Sequence, residues 1–307
     1  VARVCVAGAG VIGSLFAAHL ARVADVSALT RREEHAAALR EHGLRVSGRA
    51  GFTARLDASV RPEELAAPEL VIVACKTTDL DAVGSLLAGH WPEATVMTVQ
   101  NGIGADEVIG RHGDWRALAA VTFMSGTRHD DTHVQYVLDT ATWIGPGRGT
   151  AVDDAERVAE LLRSAGLAAE AFPDLRPAQW SKLIFNATVN TVSALTGLPH
   201  DRHFAEVERP SDLGHLVRGL MDEGKAVAAA AGVELGEDPW EMNVLATQRG
   251  SAHYPSMLED VEAHRRTEID WITGALVREA RRVGVPVPLH ETMERLVKAK
   301  EDSWSAA

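Results

Sequence analysis

Val4-Cys5-Val6-Ala7-Gly8-Ala9-Gly10-Val11-Ile12-Gly13 decides the fold. An apolar run of strand length enters a G-x-G-x-x-G turn, and an Ala-rich helical pattern follows at once. In such a turn Gly8 permits the tight bend, Gly10 lets the backbone approach a pyrophosphate, and Gly13 allows the helix to lie close on the strand. The free N–H groups of the helix start then face the anion. The spacing alone is weak evidence. Directly after a first strand and inside an alternating pattern it predicts a dinucleotide cradle made of Gly8, Ala9, Gly10, Val11, Ile12 and Gly13.

Outward from that stretch, short β-rich runs recur at Val26–Leu29, Leu70–Cys75, Thr95–Val99, Leu118–Phe123 and Thr142–Ile144. Amphipathic helical patterns separate several of them, at Val11–Val23 and Glu33–Glu41 for example. Such alternation predicts βαβ crossovers and a parallel sheet covered on both faces. After Pro173-Asp174-Leu175-Arg176-Pro177 the strand signal stops. Helical patterns then run through Gln179–Thr196, Leu213–Ala231, Met257–Ala263, Thr267–Val283 and Leu289–Lys300. The expected fold is α/β: a Rossmann-type dinucleotide-binding domain over residues 1–172, then an all-helical domain over 173–307.

Composition narrows the function. The 307 residues carry 31 Lys and Arg against 43 Asp and Glu, a net charge of −12. An acidic surface repels nucleic acid and anionic membranes, so neither is expected as partner. No apolar run approaches the roughly 20 residues of a membrane span, and no signal-peptide pattern precedes Arg3, so a cytoplasmic protein is expected. Cys5 and Cys75 each lie in an apolar run that reads as a buried strand, which points away from a disulfide framework. Surplus apolar faces on the C-terminal helices are compatible with a homodimer.

The second strand sets the cofactor expectation. NAD sites usually place an acid at its end to hold the ribose 2′-hydroxyl. Here Val26-Ser27-Ala28-Leu29 ends in Thr30-Arg31-Arg32. A guanidinium can clamp a 2′-phosphate bidentately, so NADP(H) is expected, with Arg31 as main contact and Arg32 beside it. Two solvated loop arginines are the plain alternative.

Other polar residues sit where an α/β sheet opens to ligands. Lys76 follows one apolar strand and Asn101-Gly102 another, although either could be an ordinary polar strand end. In Trp180-Ser181-Lys182-Leu183-Ile184-Phe185-Asn186-Ala187-Thr188-Val189-Asn190, the residues Lys182, Asn186 and Asn190 fall at i, i+4 and i+8, on one helical face among large apolar side chains. An ammonium and two amides in such a setting are costly to bury unless something satisfies them. Ser256-Met257-Leu258-Glu259-Asp260 and Arg266-Thr267-Glu268-Ile269-Asp270 form a second polar cluster. Twelve residues of straight helix rotate by about 120°, so Ser256 and Glu268 would not share a face on one helix. His129-Asp130-Asp131-Thr132-His133 has ligand-type residues but lies in a turn-like stretch, so no metal site is expected. Loop polarity accounts for His200 and His203, and the last helix, with Lys298, Lys300 and Glu301, reads as a solvated face.

The chain resembles the ketopantoate reductase (2-dehydropantoate 2-reductase) family over essentially its whole length. The resemblance rests on Gly8 to Gly13, Lys76, Asn101-Gly102, Trp180-Ser181-Lys182-Leu183 with Asn186 and Asn190, Ser256 to Asp260, Thr267 to Asp270, Gly274 and Gly284-Val285-Pro286-Val287-Pro288. It implies NADPH-dependent reduction of a 2-oxo acid in a cleft between the two domains. By resemblance Lys182 is the catalytic lysine and general acid. Asn101, Asn186, Asn190 and Ser256 contact the substrate, with Asn101 also near the nicotinamide, while Lys76 and Glu268 line the cofactor and reacting end. Glu268 is expected to orient Lys182 or to accept a hydrogen bond from the forming hydroxyl.

Three positions depart from the family pattern. His200-Asp201 stands where Asn-Gly is usual, Thr273 replaces an asparagine, and Ser181 precedes the lysine where a charged residue is common. They leave open a reductase of another small ketone or imine. A non-catalytic NADPH-binding regulator is the third reading, and the presence of Lys182 and Glu268 argues against it.

Overall fold

A computed structural model describes residues 2–206, 211–248 and 254–304. The chain divides into two compact units. The first takes the residues up to Gln100 together with Gly104–Leu175, and the second takes Asn101–Ile103 with the residues from Arg176 onward.

The first unit begins β1 (Arg3–Ala7), α1 (Val11–Leu20), β2 (Asp25–Leu29), α2 (Glu33–His42), β3 (Leu44–Gly48), β4 (Phe52–Ala54) and β5 (Asp57–Ser59). It continues β6 (Leu70–Val73), α3 (Leu80–Leu87), β7 (Thr95–Thr98), α4 (Ala105–Gly110) and β8 (Arg116–Thr122). Last come β9 (Ser125–Arg128), β10 (His133–Leu138), β11 (Thr142–Pro146), α5 (Val152–Ser164) and β12 (Ala169–Ala171). Eight strands form one sheet in the order β12-β11-β8-β7-β6-β1-β2-β5. All its pairings are parallel except β11 with β8. β1 stands at the switch point: β2 and β5 extend to one side, β6 to β8 to the other. Both faces of a parallel sheet are covered, and all four residues of β6 are buried accordingly.

A second sheet, β4-β3-β10-β9, was not anticipated. It lays Leu44, Val46, Val134 and Tyr136 into the same core as Leu15, Phe16 and Leu20 of α1. That cover corrects the reading of α1 as amphipathic, since every residue from Gly13 to Leu20 is buried. Inside this core His19 Nδ1 meets the carbonyl of Ala165 at 3.2 Å, and the ring makes edge contacts with Phe52 and Tyr136. The strand before Cys75 ends at Val73, so Cys5 is buried in a strand while Cys75 is half-buried in the turn beyond one.

The second unit is helical: α6 (Arg176–Thr196), α7 (Asp212–Ala230), α8 (Pro239–Thr247), α9 (Ser256–Glu262), α10 (Thr273–Val283) and α11 (Pro288–Ser303). α6 starts earlier than the apolar pattern implied, because Pro177 in a first turn has no intrahelical bond to lose. α8 was missed, and α10 starts at Thr273 rather than Thr267. Gly284, in the left-handed region at φ +72°, closes α10, and Pro288 opens α11. Glu223 of α7 accepts hydrogen bonds from the backbone N–H of Leu289 (3.0 Å) and His290 (3.1 Å), tying α11's first turn to α7. α6 is central to this unit and places Leu183, Ile184 and Ala187 in its core. Among the described residues no helix is long and apolar enough to cross a membrane.

Candidate active site

Two groups of residues carry the candidate chemistry, one in each unit. In the first, the turn after β1 holds Gly8 at φ +101°, with its N–H donated to Leu29 O at 2.9 Å. A Cβ at Gly13 would overlap the carbonyl oxygen of Gly8, so helix and turn are in contact there. A Cβ at Gly10 would meet no protein atom within 4 Å. The chain's own packing therefore does not demand glycine at that position. Gly10 is also the N-cap of α1 and offers no capping side chain, and the first turn carries no acid. An open approach to free N–H groups at a bare positive helix end fits a pyrophosphate.

Beyond β2, Arg31 leaves 83% of its side chain exposed, with its guanidinium 3.8 Å from Asp79. Arg32 is engaged: it pairs with Asp131 at 2.5 Å and occupies the N-cap of α2. An arriving anion would displace little at Arg31 and would compete with a short ion pair at Arg32. Lys76 is exposed and caps the short turn Thr77–Asp79 after β6.

The second unit assembles the other group. Lys182 is 8% exposed and sits on α6 above the core residues Leu183 and Ile184. Burial lowers its pKa from the usual 10.5 to about 8, against the opposing field of Glu268. Glu268 Oε2 accepts from Asn101 Nδ2 at 3.3 Å, and Asn101 Oδ1 accepts from Asn186 Nδ2 at 3.5 Å. The strand-end asparagine and one helix amide thus join the carboxylate whose field acts on the lysine. Gly102 follows at φ +90°, where a Cβ would strike the carbonyl of Trp271, so the Asn-Gly pair can seat against the Glu268 loop. Asn190 is buried and lies 3.5 Å from the backbone N–H of Met257, which places it beside the exposed Ser256 at the start of α9.

The obstacle to a shared face for Ser256 and Glu268 disappears because the chain is not one helix. α9 ends at Glu262, and a loop turns at His264, φ +50°, before Thr267 and Glu268. The support of that loop escaped the sequence reading. Glu301 is 4% exposed rather than solvated, and accepts from Thr267 N at 2.8 Å and Thr267 Oγ1 at 2.6 Å. A signal existed, since His290, Met293, Val297 and Glu301 make up the buried stripe of α11. Loop polarity also fails for His200. It is 1% exposed, donates from Nε2 to Asn243 Oδ1 (2.8 Å), and packs edge-on against Phe185 and Phe204. His129 and His133 lie with ring centroids 4.6 Å apart, bonded to Gln135 and Ser47. Among the described residues no group of three or more His, Cys, Asp or Glu is placed to hold a metal.

A glycine turn at the switch point of a doubly wound sheet, in a chain that also buries an ammonium within the field of a carboxylate, fits the class of pyridine-nucleotide oxidoreductases. Comparison with known sequences narrows the class. The chain belongs to the ketopantoate reductase PanE/ApbA family: the family profile matches residues 4–149, and its C-terminal profile matches residues 174–301. It is 31% identical to 2-dehydropantoate 2-reductase of Archaeoglobus fulgidus over 301 residues, 98% of each chain. Among solved structures, a PanE/ApbA family ketopantoate reductase from Ralstonia eutropha JMP134 superposes with a TM-score of 0.88 at 27% identity, covering 98% of this chain and 99% of that one. D-mandelate dehydrogenase, in a ternary structure with NADH and anilino(oxo)acetate, gives 0.87 at 25% identity over 98% and 99%.

Proposed function

We propose that the chain reduces a 2-oxo acid to the 2-hydroxy acid with NADPH, and that 2-dehydropantoate is the substrate. In this reading residues 1–172 bind the nucleotide and residues 173–307, with Asn101, bind and protonate the substrate. The observation that carries the proposal is the Lys182 ammonium, buried within the field of Glu268 and beside a chain of amides.

When bound, the nucleotide supplies the hydride that converts the ketone carbon to an alcohol. Negative charge then grows on the carbonyl oxygen, and Lys182 is the group able to stabilise it and hand over a proton. General acid catalysis of this kind contributes roughly 10²–10⁴-fold. Burial serves that role in two ways. It holds the pKa near neutrality, and it removes the water that would screen the ammonium's charge. Glu268 keeps the ammonium form populated against desolvation. Asn186, Asn190 and Ser256 are suited to the carboxylate and hydroxyl oxygens by neutral hydrogen bonds, which leave Lys182 as the charge nearest the reacting oxygen. On the nucleotide side, Gly8 to Gly13 would hold the pyrophosphate, with Lys76 and Asn101 toward the nicotinamide.

Arg31 decides between the two nicotinamide cofactors. D-mandelate dehydrogenase shows that a closely similar fold holds NADH. The exposed guanidinium of Arg31 supports NADP(H) here, because a 2′-phosphate can engage it without breaking a short ion pair. Arg31→Ala is expected to raise the KM for NADPH at least tenfold and leave the KM for NADH within twofold. Steady-state kinetics with both cofactors test this, and equal effects on both would return Arg31 to the status of a solvated loop residue.

A pH dependence follows from the same lysine. Protonated Lys182 is the active form for reduction, so kcat/KM should be level below about pH 7.5 and fall about tenfold per unit above about pH 8. Oxidation of the hydroxy acid needs the neutral amine and should rise over the same range. A profile flat to pH 10 in both directions would remove Lys182 from proton transfer.

A second reading, reduction of a different 2-oxo acid, draws on the departures at His200 and Thr273 and on the likeness to D-mandelate dehydrogenase. NADPH oxidation measured against a panel of aliphatic and aromatic 2-oxo acids, 2-dehydropantoate included, separates the two. A preference for an aromatic acid by kcat/KM would overturn the first.

A further inference from the structure

The loop between α9 and α10 presents Glu268, yet its anchoring comes from the far end of the chain. Glu301, on the last turns of α11, is almost wholly buried. Its carboxylate accepts three hydrogen bonds: Thr267 N at 2.8 Å, Thr267 Oγ1 at 2.6 Å and Arg266 Nη1 at 2.9 Å. A buried carboxylate is costly unless its lone pairs are filled, and here all three donors come from the two residues just before Glu268. On the other side of Glu268, the N–H groups of Trp271 and Ile272 each donate to the Glu268 carbonyl at 3.0 Å, and Ile269 N donates to Thr267 Oγ1 at 3.2 Å. The Thr267 hydroxyl therefore bonds at once to Glu301 and to the backbone beyond Glu268. Between these fixed points the Glu268 carboxylate accepts from Asn101 Nδ2 at 3.3 Å, and its field reaches Lys182.

We propose that Glu301 is a positioning residue of the reacting centre: acting through Thr267, it fixes the loop so that the Glu268 carboxylate stays beside Lys182. The proposal rests on the assignment of Lys182 and Glu268 to the reacting end of the site. Glu301 touches neither substrate nor cofactor in this scheme. Its carboxylate faces Arg266, whose guanidinium is shared with Asp302 at 3.5 Å. Of its neighbours on α11, Lys298 is held by Asp270 and Glu294, and Lys300 is turned to the carbonyl of Ala194. Glu268 is the charged group whose field acts on Lys182. Releasing Glu268 leaves desolvation unopposed and shifts the lysine toward its neutral form.

The test compares Glu301→Ala, Glu301→Gln and Thr267→Val with the wild-type chain by two measurements. In the first, the chain is labelled with ¹³C at lysine Cε and titrated by NMR. The lysines are Lys76, Lys182, Lys225, Lys298 and Lys300, and a Lys182→Arg control identifies the wanted signal. Glu301→Ala and Thr267→Val should move the Lys182 midpoint down by half a unit or more, while Glu301→Gln, which keeps an acceptor for Thr267, should move it by less than half as much. In the second, kcat with NADPH and the preferred oxo acid should fall at least tenfold in Glu301→Ala and Thr267→Val, the KM for NADPH should stay within twofold, and the alkaline limb should move with the NMR midpoint. An unchanged midpoint in Thr267→Val overturns the proposal, even if Glu301→Ala fails to fold. A lowered melting temperature with kcat and limb unchanged overturns it too, because that is the signature of a purely structural carboxylate. If no oxo acid is reduced by the wild-type chain, the functional reading fails, while the NMR titration still decides the role of Glu301.

Discussion

Lys182→Met is expected to lower turnover at least a hundredfold while NADPH still binds, and to leave a protein that melts higher than the wild-type chain. On the proposed mechanism, the first effect follows from the loss of the proton donor and of the cation that would meet the growing oxyanion. Each factor of ten corresponds to about 1.4 kcal/mol of transition-state stabilisation, and one well-placed charged donor in a dry site supplies two or three such factors. The second effect follows from the same burial. A pKa lowered from 10.5 to about 8 means that folding disfavours the charged form, by about 3 kcal/mol at neutral pH. Between those two values the unfolded chain binds more protons than the folded one, so this group's contribution to stability rises with pH from about 8 to 10.5 and is least favourable below 8. Methionine fits the space without a charge. The Glu268 carboxylate loses its neighbour in exchange, so the net gain is smaller, about 1–2 kcal/mol or a few degrees in Tm. Single-turnover kinetics, NADPH fluorescence titration and calorimetry at pH 7 and pH 10 check the parts separately. Retained turnover removes Lys182 from the acid role, and a lower Tm at pH 7 shows that its ammonium stabilises the fold.

The other large effect concerns two glycines three residues apart, for which opposite outcomes are expected. Gly13→Ala should destabilise the first unit by about 3 kcal/mol or more, because its Cβ would enter the carbonyl oxygen of Gly8, and backbone cannot yield as a side-chain tip can. Gly10→Ala should leave Tm within a degree of the wild-type value, since that Cβ meets nothing in the protein. It should instead raise the KM for NADPH at least tenfold by filling the approach to the helix start. Thermal melts paired with cofactor titration distinguish the two. Normal NADPH binding in Gly10→Ala would move the pyrophosphate away from this turn.

How much could be read in advance depended on whether a signal was local. Strand β1, the glycine turn and the start of α1 were legible because period, turn chemistry and order agree over ten consecutive residues. The polar face of α6 was legible too, since i, i+4 and i+8 is a relation within one helix. The small sheet was overlooked although Leu44-Arg45-Val46-Ser47 and Val134-Gln135-Tyr136-Val137 alternate as half-buried strands do. Its strands are short and rich in polar residues, and β3 finds β10 only across some ninety residues of chain. α1 looked amphipathic for the same reason, as its second cover comes from that distant sheet.

From residues alone followed the alternation that makes a parallel sheet, the glycine turn after β1, the basic end of β2 and the change from strands to helices. Each depends on contacts or backbone angles within one element or its immediate turn. Only the tertiary structure decided that Glu268 leaves the helix line to meet Asn101, that Arg32 is engaged with Asp131 while Arg31 stays exposed, and that Glu301 is buried. Those outcomes turn on which side chains from remote parts of the chain exclude water around a charge. Hydrophobic periodicity records where a helix is buried, but the partner that makes a buried charge tolerable exists only once the elements have packed.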